Sequence, residues 1–527
     1  MHRNKIAPII GFGLLLVCFG LAMMRVIGRG ATERDPNLTV IRFAHWQLEG
    51  GIREALDQLA RDYEKLHPGV IVRQVAVPER IYPQWARTQL VGGTATDLIE
   101  LGKGIEDAEI ARFFTPLSQE LDLPNPYNQG TPLADAPWRE TFLDGLQSGY
   151  NYRPNLLNYY GVPVSMHTVR VFYNRPLWNR LLGSRPEPAN FDEFISLCQD
   201  VRRIGEESNL SVLPIVGSRD NGPMLTTRFF ASQTQRLRQQ FATMRDLRST
   251  NLELGLAFLR GDWDLDTPGY HKGLEITREV GRFMQTGYSQ ASREDASFYF
   301  LQGRALMIAT GSWDSSSFRA QATFDLGVFS VPIPDRTHPR YGANVLGRGS
   351  ESEVGTGFSF GLTRQSRHHA QALDFLRYIT SARGNERFSA ISGWLPAVVG
   401  SAPPENMKPF LPVTEGYVDG FAPAISIGPD TNRVLQRNMN YLLNPQGSVE
   451  EFKTHVRREM PQAVRRDIER NLRNTRFNLN RQDVILAALR SFGEVEQARI
   501  SELLEAQNEL ESQSAWTQHE LQRLRAE

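Results

Sequence analysis

Two cysteines in 527 residues exclude a disulfide framework and any metal site built from several thiolates. Cys18 falls inside an N-terminal apolar run, and Cys198 falls on a predicted helix, where a thiol packs as a small apolar residue. An excess of one charge is also missing. The chain carries 59 basic and 59 acidic residues, which argues against a broad nucleic-acid-binding face. Lysine is scarce and the basic residues are nearly all arginine, a bias of the source with no functional meaning of its own. There is no phosphate loop and no HExxH pattern. Asp262, Asp264 and Asp266 begin like a calcium loop, but its sixth position is Thr267 where glycine is needed and its twelfth is Gly273 where glutamate is needed. His368 and His369 have no further ligands nearby. The expectation is therefore no metal, no cofactor and no catalytic chemistry.

Arg3 and Lys5 precede an apolar run at 6–24. As a helix it covers roughly 28 Å, enough to cross a hydrocarbon core. Small residues Gly20 and Ala22 suit cleavage of a secretory signal, whereas Arg25 and Arg29 suit an uncleaved anchor, and both readings stay open. Val17 before Cys18 stands where a lipoprotein has a small residue, which argues against a lipid anchor. Either way the bulk of the chain is expected outside the cytoplasm, periplasmic or tethered to the inner membrane. Residues 1–30 form this segment and 31–38 a polar linker.

The stretch at 40–68 sets the pattern for the chain beyond it. Val40, Ile41, Phe43 and Ala44 make a buried strand, and Gly50 and Gly51 break the chain. Ile52, Ala55, Leu56, Leu59, Ala60, Tyr63 and Leu66 then recur at helical spacing up to Pro68. Another strand at 70–77, a helix near 85–90 and a strand at 97–101 complete a β-α-β-α-β opening. Ligands of such sheets sit beyond the carboxyl ends of the strands. His45, Trp46 and Gln47 stand at that end of the first strand, with Glu100 and Lys103 at the end of the third.

Residues 121–155 read as loop with one helix around 138–149, an insertion expected to cover the pocket. The adjacent tyrosines Tyr159 and Tyr160 are expected to be structural, one pointing into the sheet. Strands come next at 159–163 and 169–173, then helices at 175–182 and 191–204, the latter helped by Asp192 at its start. A strand at 213–216 ends in Arg219, Asp220 and Asn221. A strand at 305–309 ends in Trp313 and Asp314, repeating the logic of Trp46 in a second α/β unit. Beyond it lie a strand at 326–331, an exposed glycine-rich loop at 335–352, a strand at 355–362, a helix at 370–380 and a turn carrying Trp394. Trp85 and Trp178, on helices, are expected in the core.

From 449 onward the pattern is helical, basic first and acidic at 494–511. Leu489, Leu503, Leu510 and Leu524 share one heptad position, and Leu486, Ile500 and Leu521 the other, but Gly493, Glu496, Gln507, Ser514 and Thr517 interrupt them. That seam is a weak coiled coil. Packing on its own domain and capture of a partner protein are both open for it.

Several pieces, in order, resemble the extracellular solute-binding proteins (family 1, the sugar-binding components of ABC importers): RFAHWQLEGG at 42–51, VFYNRPLWNRLL at 171–182, NFDEFISLC at 190–198, FLQGRALMIATGSW at 300–313, FLRYITSARGNERF at 375–388 and GWLPA at 393–397. The resemblance covers roughly 38–440; the tail departs from the family's pattern. It implies a two-lobed, type II periplasmic-binding-protein-like α/β fold, each lobe a mostly parallel sheet flanked by helices. The lobes would comprise 39–165 with 355–395, and 166–354 with 396–448, leaving 449–527 as a helical extension. Such proteins close on ligand like a clamp and deliver it to permease subunits. Sugars present apolar C–H faces to aromatic rings and hydroxyls to charged or amide groups. Trp46, Trp313 and Trp394 suit the first role; Gln47, Glu49, Glu100, Asp220, Asn221 and Asp314 suit the second, with Arg219 for an anionic sugar. The competing readings are a glycosidase using Glu49 and Glu100, and an anchored sensor whose C-terminal helices engage another protein.

Overall fold

The computed structural model describes residues 38–102, 104–241, 249–352, 355–423, 427–491 and 497–526, without the side chains of 497–499. The apolar run at 6–24, the linker up to 37, Lys103, Gly493 and Glu496 lie outside the described residues. Among those described, no helix is long and apolar enough to cross a membrane.

In chain order the strands are β1 (Thr39–His45), β2 (Val70–Ala76), β3 (Leu98–Leu101), β4 (Tyr152–Arg153), β5 (Asn158–Tyr159), β6 (Val162–Met166), β7 (Val169–Asn174), β8 (Leu213–Val216), β9 (Ala305–Gly311), β10 (Leu326–Phe329), β11 (Thr356–Leu362) and β12 (Leu395–Pro396). They build a sheet β2-β1-β3-β11-β6-β12, a second sheet β10-β7-β9-β8, and the small hairpin β4-β5. Each large sheet belongs to one lobe. The opening β-α-β-α-β stands as its periodicity predicts, with helices Ile52–Leu66 and Tyr82–Gly92 between parallel strands. Ile52, Leu56, Leu59 and Tyr63 bury one stripe of the first helix against β1 and helix His369–Ile379.

The sheets are mixed where mostly parallel ones were expected. β11 runs antiparallel to both β3 and β6, and β7 antiparallel to both β9 and β10. These reversals follow from the chain changing lobes: β6 ends in the first sheet at Met166 and β7 opens the second at Val169. Reaching the other sheet by so short a link leaves no room for a crossover helix.

Four local expectations change. A helix at 138–149 is reduced to one turn, Trp138–Thr141, because Phe142 is extended and Leu146 takes a positive φ of 62°. Trp138 is fully buried, so this loop-rich segment seals the first lobe's core. The loop at 335–352 is not simply exposed: Tyr341 and Val345 are buried. The strand at 326–331 stops at Phe329, ahead of Pro332 and Pro334. Asn190, not Asp192, caps helix Phe191–Glu207, accepting from the Glu193 amide at 3.0 Å. Tyr159 and Tyr160 are both buried, in separate clusters of the first lobe. Trp178 and Cys198 lie in the second lobe's core, and burial pushes the Cys198 thiol up.

Helices Val449–Ser491 and Gln497–Ala526 pack antiparallel, with Arg525 against Glu469 at 2.6 Å and Gln507 against Asp483 at 2.6 Å. The apolar stripe of the first one, Phe452, Val456, Met460, Val464 and Ile468, packs into Leu254, Leu256 and Leu435 of the second lobe, with Leu521 of the second helix joining the same cluster. Its spacing is that of a helix buried on a globular core, not of a coiled-coil seam. Asp266 of the supposed calcium loop serves this docking, pairing with Lys453 and Arg457.

Candidate functional site: the cleft between the lobes

Strand ends from both sheets converge on two adjoining cavities of about 240 and 430 Å³. Trp46, Gln47, Trp313, Trp394, Tyr150 and His167 wall the smaller one. Leu48, Phe298, Asp314 and Ser317 wall the larger, and Trp46, Glu49, Glu79 and Arg293 border both.

From the first lobe, the chain leaving β1 is held by Glu100. Its carboxylate accepts from the Trp46 amide at 2.9 Å and from the Gln47 side chain. Glu100 is fully buried, and burial raises its pKa well above the carboxylate range against the pull of these two bonds. It lines neither cavity. Glu100 is therefore the bracket behind the aromatic wall, a correction to its expected place on the sugar. The Trp46 ring stands edge-on to Tyr82 at 4.9 Å. Gly51, at φ 89°, opens the next helix, and a Cβ there would sit 2.9 Å from the Ser392 carbonyl.

From the second lobe come Trp313 and Asp314, in the turn after β9. Asp314 is nearly buried and accepts from Thr310 at 2.6 Å and from Arg293 at 2.5 Å. Arg293 opens helix Arg293–Leu301, its guanidinium 5.7 Å from the Trp313 ring centroid and 3.8 Å from Glu49 of the opposite lobe. Trp313 also meets His167 edge-on at 5.1 Å, and its carbonyl accepts from the Trp394 indole at 3.1 Å. Burial lowers the pKa of His167, which keeps the imidazole neutral near pH 7. Trp394 is almost wholly buried, edge-on to Phe358 at 5.9 Å. Phe358 itself lines the smaller cavity with φ 53°, a costly conformation for an aromatic residue and one that clusters at ligand sites.

Two polar atoms in these walls are buried without a hydrogen-bond partner: Glu49 Oε2 and Trp313 Nε1. One accepts, the other donates. Burial pushes the Glu49 carboxyl above its ordinary 4.5, opposed in part by the charge of Arg293. An acid with a raised folded-state pKa favours folding most while protonated, and the contribution fades as pH rises from about 4.5 through the raised value. Glu49→Gln should therefore flatten the curve of stability against pH in that window. Chemical melts of both proteins across it check this, and parallel curves would contradict it.

Trp46, Gln47, Glu49, Trp313 and Trp394 thus border the smaller cavity, and Asp314 the larger one beside it. Arg219, Asp220 and Asn221 do not reach either. Asn221 is buried, donating to the Ala309 carbonyl at 2.8 Å, so it ties β9 to the start of helix Asn221–Gln240. Arg219 and Asp220 face solvent beside each other at 3.6 Å and line neither cavity. Sequence reasoning missed Arg293, Tyr150, Phe358 and His167. Only His167 carried a signal, being a polar residue in the segment expected to cross between lobes.

Two α/β lobes, three chain crossings and a cleft lined from both sides define a ligand-capturing, clamp-type binding protein. The chain belongs to the bacterial extracellular solute-binding protein family, whose model matches residues 58–410. It is 21% identical over 367 residues to the Multiple sugar-binding protein of Streptococcus mutans, covering 68% of this chain and 76% of that one. An uncharacterised ABC transporter extracellular-binding protein of Pyrococcus horikoshii is 21% identical over 411 residues, covering 75% and 81%. Among solved structures, the solute-binding protein RafE in complex with raffinose aligns with TM-score 0.55 at 18% identity, over 81% of this chain and 100% of that one. A cyclo/maltodextrin-binding protein complexed with maltotetraose aligns with TM-score 0.52 at 14% identity, over 82% and 98%. The family match stops before the two C-terminal helices.

Proposed function

We propose that this protein captures a saccharide between its lobes, outside the cytoplasm, and delivers it to the permease of an ABC importer. One observation carries the reading: Trp46 and Trp313, from opposite lobes, border one cavity with an unpaired acceptor on Glu49 and an unpaired donor on Trp313. Indole faces cover the C–H surface of a pyranose, and a desolvated carboxylate or guanidinium bonds hydroxyls more strongly than a neutral group. A ligand touching both walls stabilises the closed arrangement through contacts that an open cleft lacks. The sugars named for the relatives support the same class of ligand.

Trp46, Gln47, Glu49, Trp313, Asp314 and Trp394 are the binding residues in this reading, with Arg293 added and Glu100 holding Trp46 and Gln47 in place. Residues 39–165 with 355–395 act as one jaw and 166–354 with 396–448 as the other. Residues 6–24 direct the chain out of the cytoplasm, as a cleaved signal or as a tether to the membrane. The glycosidase reading built on Glu49 and Glu100 loses its pair, because such an enzyme needs two carboxyls flanking the scissile bond and Glu100 does not line the cavity that Glu49 borders.

Calorimetric titration against raffinose, maltotetraose, chitin and xylan oligosaccharides and galactose tests the proposal. Saturable binding of at least one, at micromolar affinity or better, is expected. Absence of heat with every member of the panel would count against a sugar receptor.

A further inference from the structure

The two C-terminal helices touch both lobes. Their base is part of the second lobe's core, where Val456, Met460, Val464 and Ile468 are fully buried. Arg260 of helix Asn251–Arg260 fixes the other helix there, bonding Glu520 at 2.8 Å. From Ile468 the first helix runs on for roughly 20 Å before its next buried group, Gln482. Gln482 is fully buried and donates to the Pro154 carbonyl of the first lobe at 3.1 Å. Beside it Leu157, at the end of the β4-β5 turn, is wedged between Leu486 of one helix and Leu503 of the other. Arg139 of the first lobe lies 3.7 Å from Glu502.

Leu157 adopts φ 49°, a left-handed conformation that costs a leucine energy, and its side chain is 2% exposed. A loop residue persists in that state where surrounding contacts hold it. The turn that carries it is rooted at the cleft. Tyr150, at its start, lines the smaller cavity, and a Cβ on Gly102 would lie within 3.3 Å of both the Tyr150 and Trp46 rings. Asn151 bonds Thr356 at 3.1 Å, where β11 re-enters the first lobe. The helix pair is seated on Leu157 while the lobes touch across the cleft, with the Gly50 amide 3.4 Å from Ser317 and Glu49 3.8 Å from Arg293.

We infer that the C-terminal helix pair is a strap, rooted in the second lobe and latched on Leu157 of the first, that holds the ligand-free clamp toward its closed state. Opening the jaws carries the Leu157 turn away from helices fixed to the other lobe, so the latch breaks as the cleft widens. For any ligand that bridges the lobes, apparent affinity scales with the fraction of protein already closed, and the strap raises that fraction. The strap depends on the two-lobed fold alone and acts whatever the ligand proves to be.

The test is a spin-label distance across the cleft mouth, measured without ligand in the full chain carrying Arg80→Cys, Gln321→Cys and Cys18→Ser. Leu157→Gly removes the wedge and suits the left-handed backbone; Leu503→Asn loosens the same contact from the other side. Each should lengthen and broaden the distance distribution relative to the control Phe477→Ser, which leaves the latch intact and whose residue is 70% exposed on the first helix. Circular dichroism checks folding, and if one variant does not fold the other decides. Distributions that superimpose on the parent's, or an equal shift in Phe477→Ser, would overturn the strap.

Discussion

Replacing Trp313 with alanine should weaken saccharide binding at least thirtyfold, a loss of about 2 kcal/mol or more. Three things go at once: the indole face that covers a sugar ring, the unpaired Nε1 donor, and the surface over which Arg293 lies. The contact with Trp394 survives, because the Trp394 indole donates to the Trp313 backbone carbonyl, which alanine retains. The fold should therefore tolerate the change, and the effect should appear as dissociation constant and not as melting temperature. Trp394→Ala makes the useful contrast. That ring is only 6% exposed and packs on Phe358, so its loss should lower stability as well as affinity. Calorimetry and thermal melts on both variants separate the two cases. A Trp313→Ala protein that binds its best sugar within threefold of the parent would remove the stacking wall from the account.

The second large effect is expected at Glu351, far from any indole. Arg170 of β7 is 1% exposed and bonds both Glu351 oxygens, at 2.8 and 2.9 Å. It also donates to the carbonyls of Pro409 and Leu411, while Glu351 accepts from the Val413 amide at 2.9 Å. Arg228 joins from 3.2 Å and continues to Asp419 at 2.8 Å. β7 follows the first passage between lobes, Glu351 precedes the second, and Pro409–Val413 follows the third, so one buried pair ties all three hinge strands together. Glu351→Ala leaves the Arg170 charge buried and unpaired, which costs roughly 3–5 kcal/mol. Against a total stability of about 5–15 kcal/mol that is a large share.

The pH dependence has a definite sign. Burial alone would raise the Glu351 pKa, but bonds from Arg170, the Val413 amide and the charge of Arg228 take it below the ordinary 4.5. Its stabilising contribution is complete above about 4.5 and is lost as pH falls through the lowered value. The parent should lose stability more steeply than Glu351→Ala in that acid range. Denaturant melts at neutral and acid pH check both points; a variant within about 1 kcal/mol of the parent at pH 7 would show that the hinge does not depend on this pair.

How far the sequence announced this site can be read residue by residue. Trp46 and Trp313 were legible because each follows a short apolar run that could only be a buried strand, and parallel strands present their carboxyl ends to ligands. The same logic failed at Arg219–Asn221. There the short link at 217–220 leads from β8 into helix Asn221–Gln240, and Asn221 is consumed in holding the Ala309 carbonyl of β9. Glu100 misled for a similar reason: a polar residue at a strand end either meets ligand or satisfies the neighbouring loop, and periodicity does not distinguish them. Arg293 was invisible. Its capping box, Ser292 with Asp295, marks a helix start, but only the packing of the second lobe aims that start across the cleft at Glu49. The direction of the C-terminal stripe shows the opposite weakness. A heptad count seeks a partner helix, whereas the apolar spacing at Phe452, Val456, Met460 and Val464 already matched a helix buried on a domain.

The most direct measurement is a crystal structure of the protein with the tightest-binding sugar of the panel. A pyranose ring should lie between Trp46 and Trp313, with Glu49 Oε2 accepting from a hydroxyl and Trp313 Nε1 donating to one. Sugar density outside that opening, or an empty cleft in a crystal grown at saturating sugar, would contradict the account.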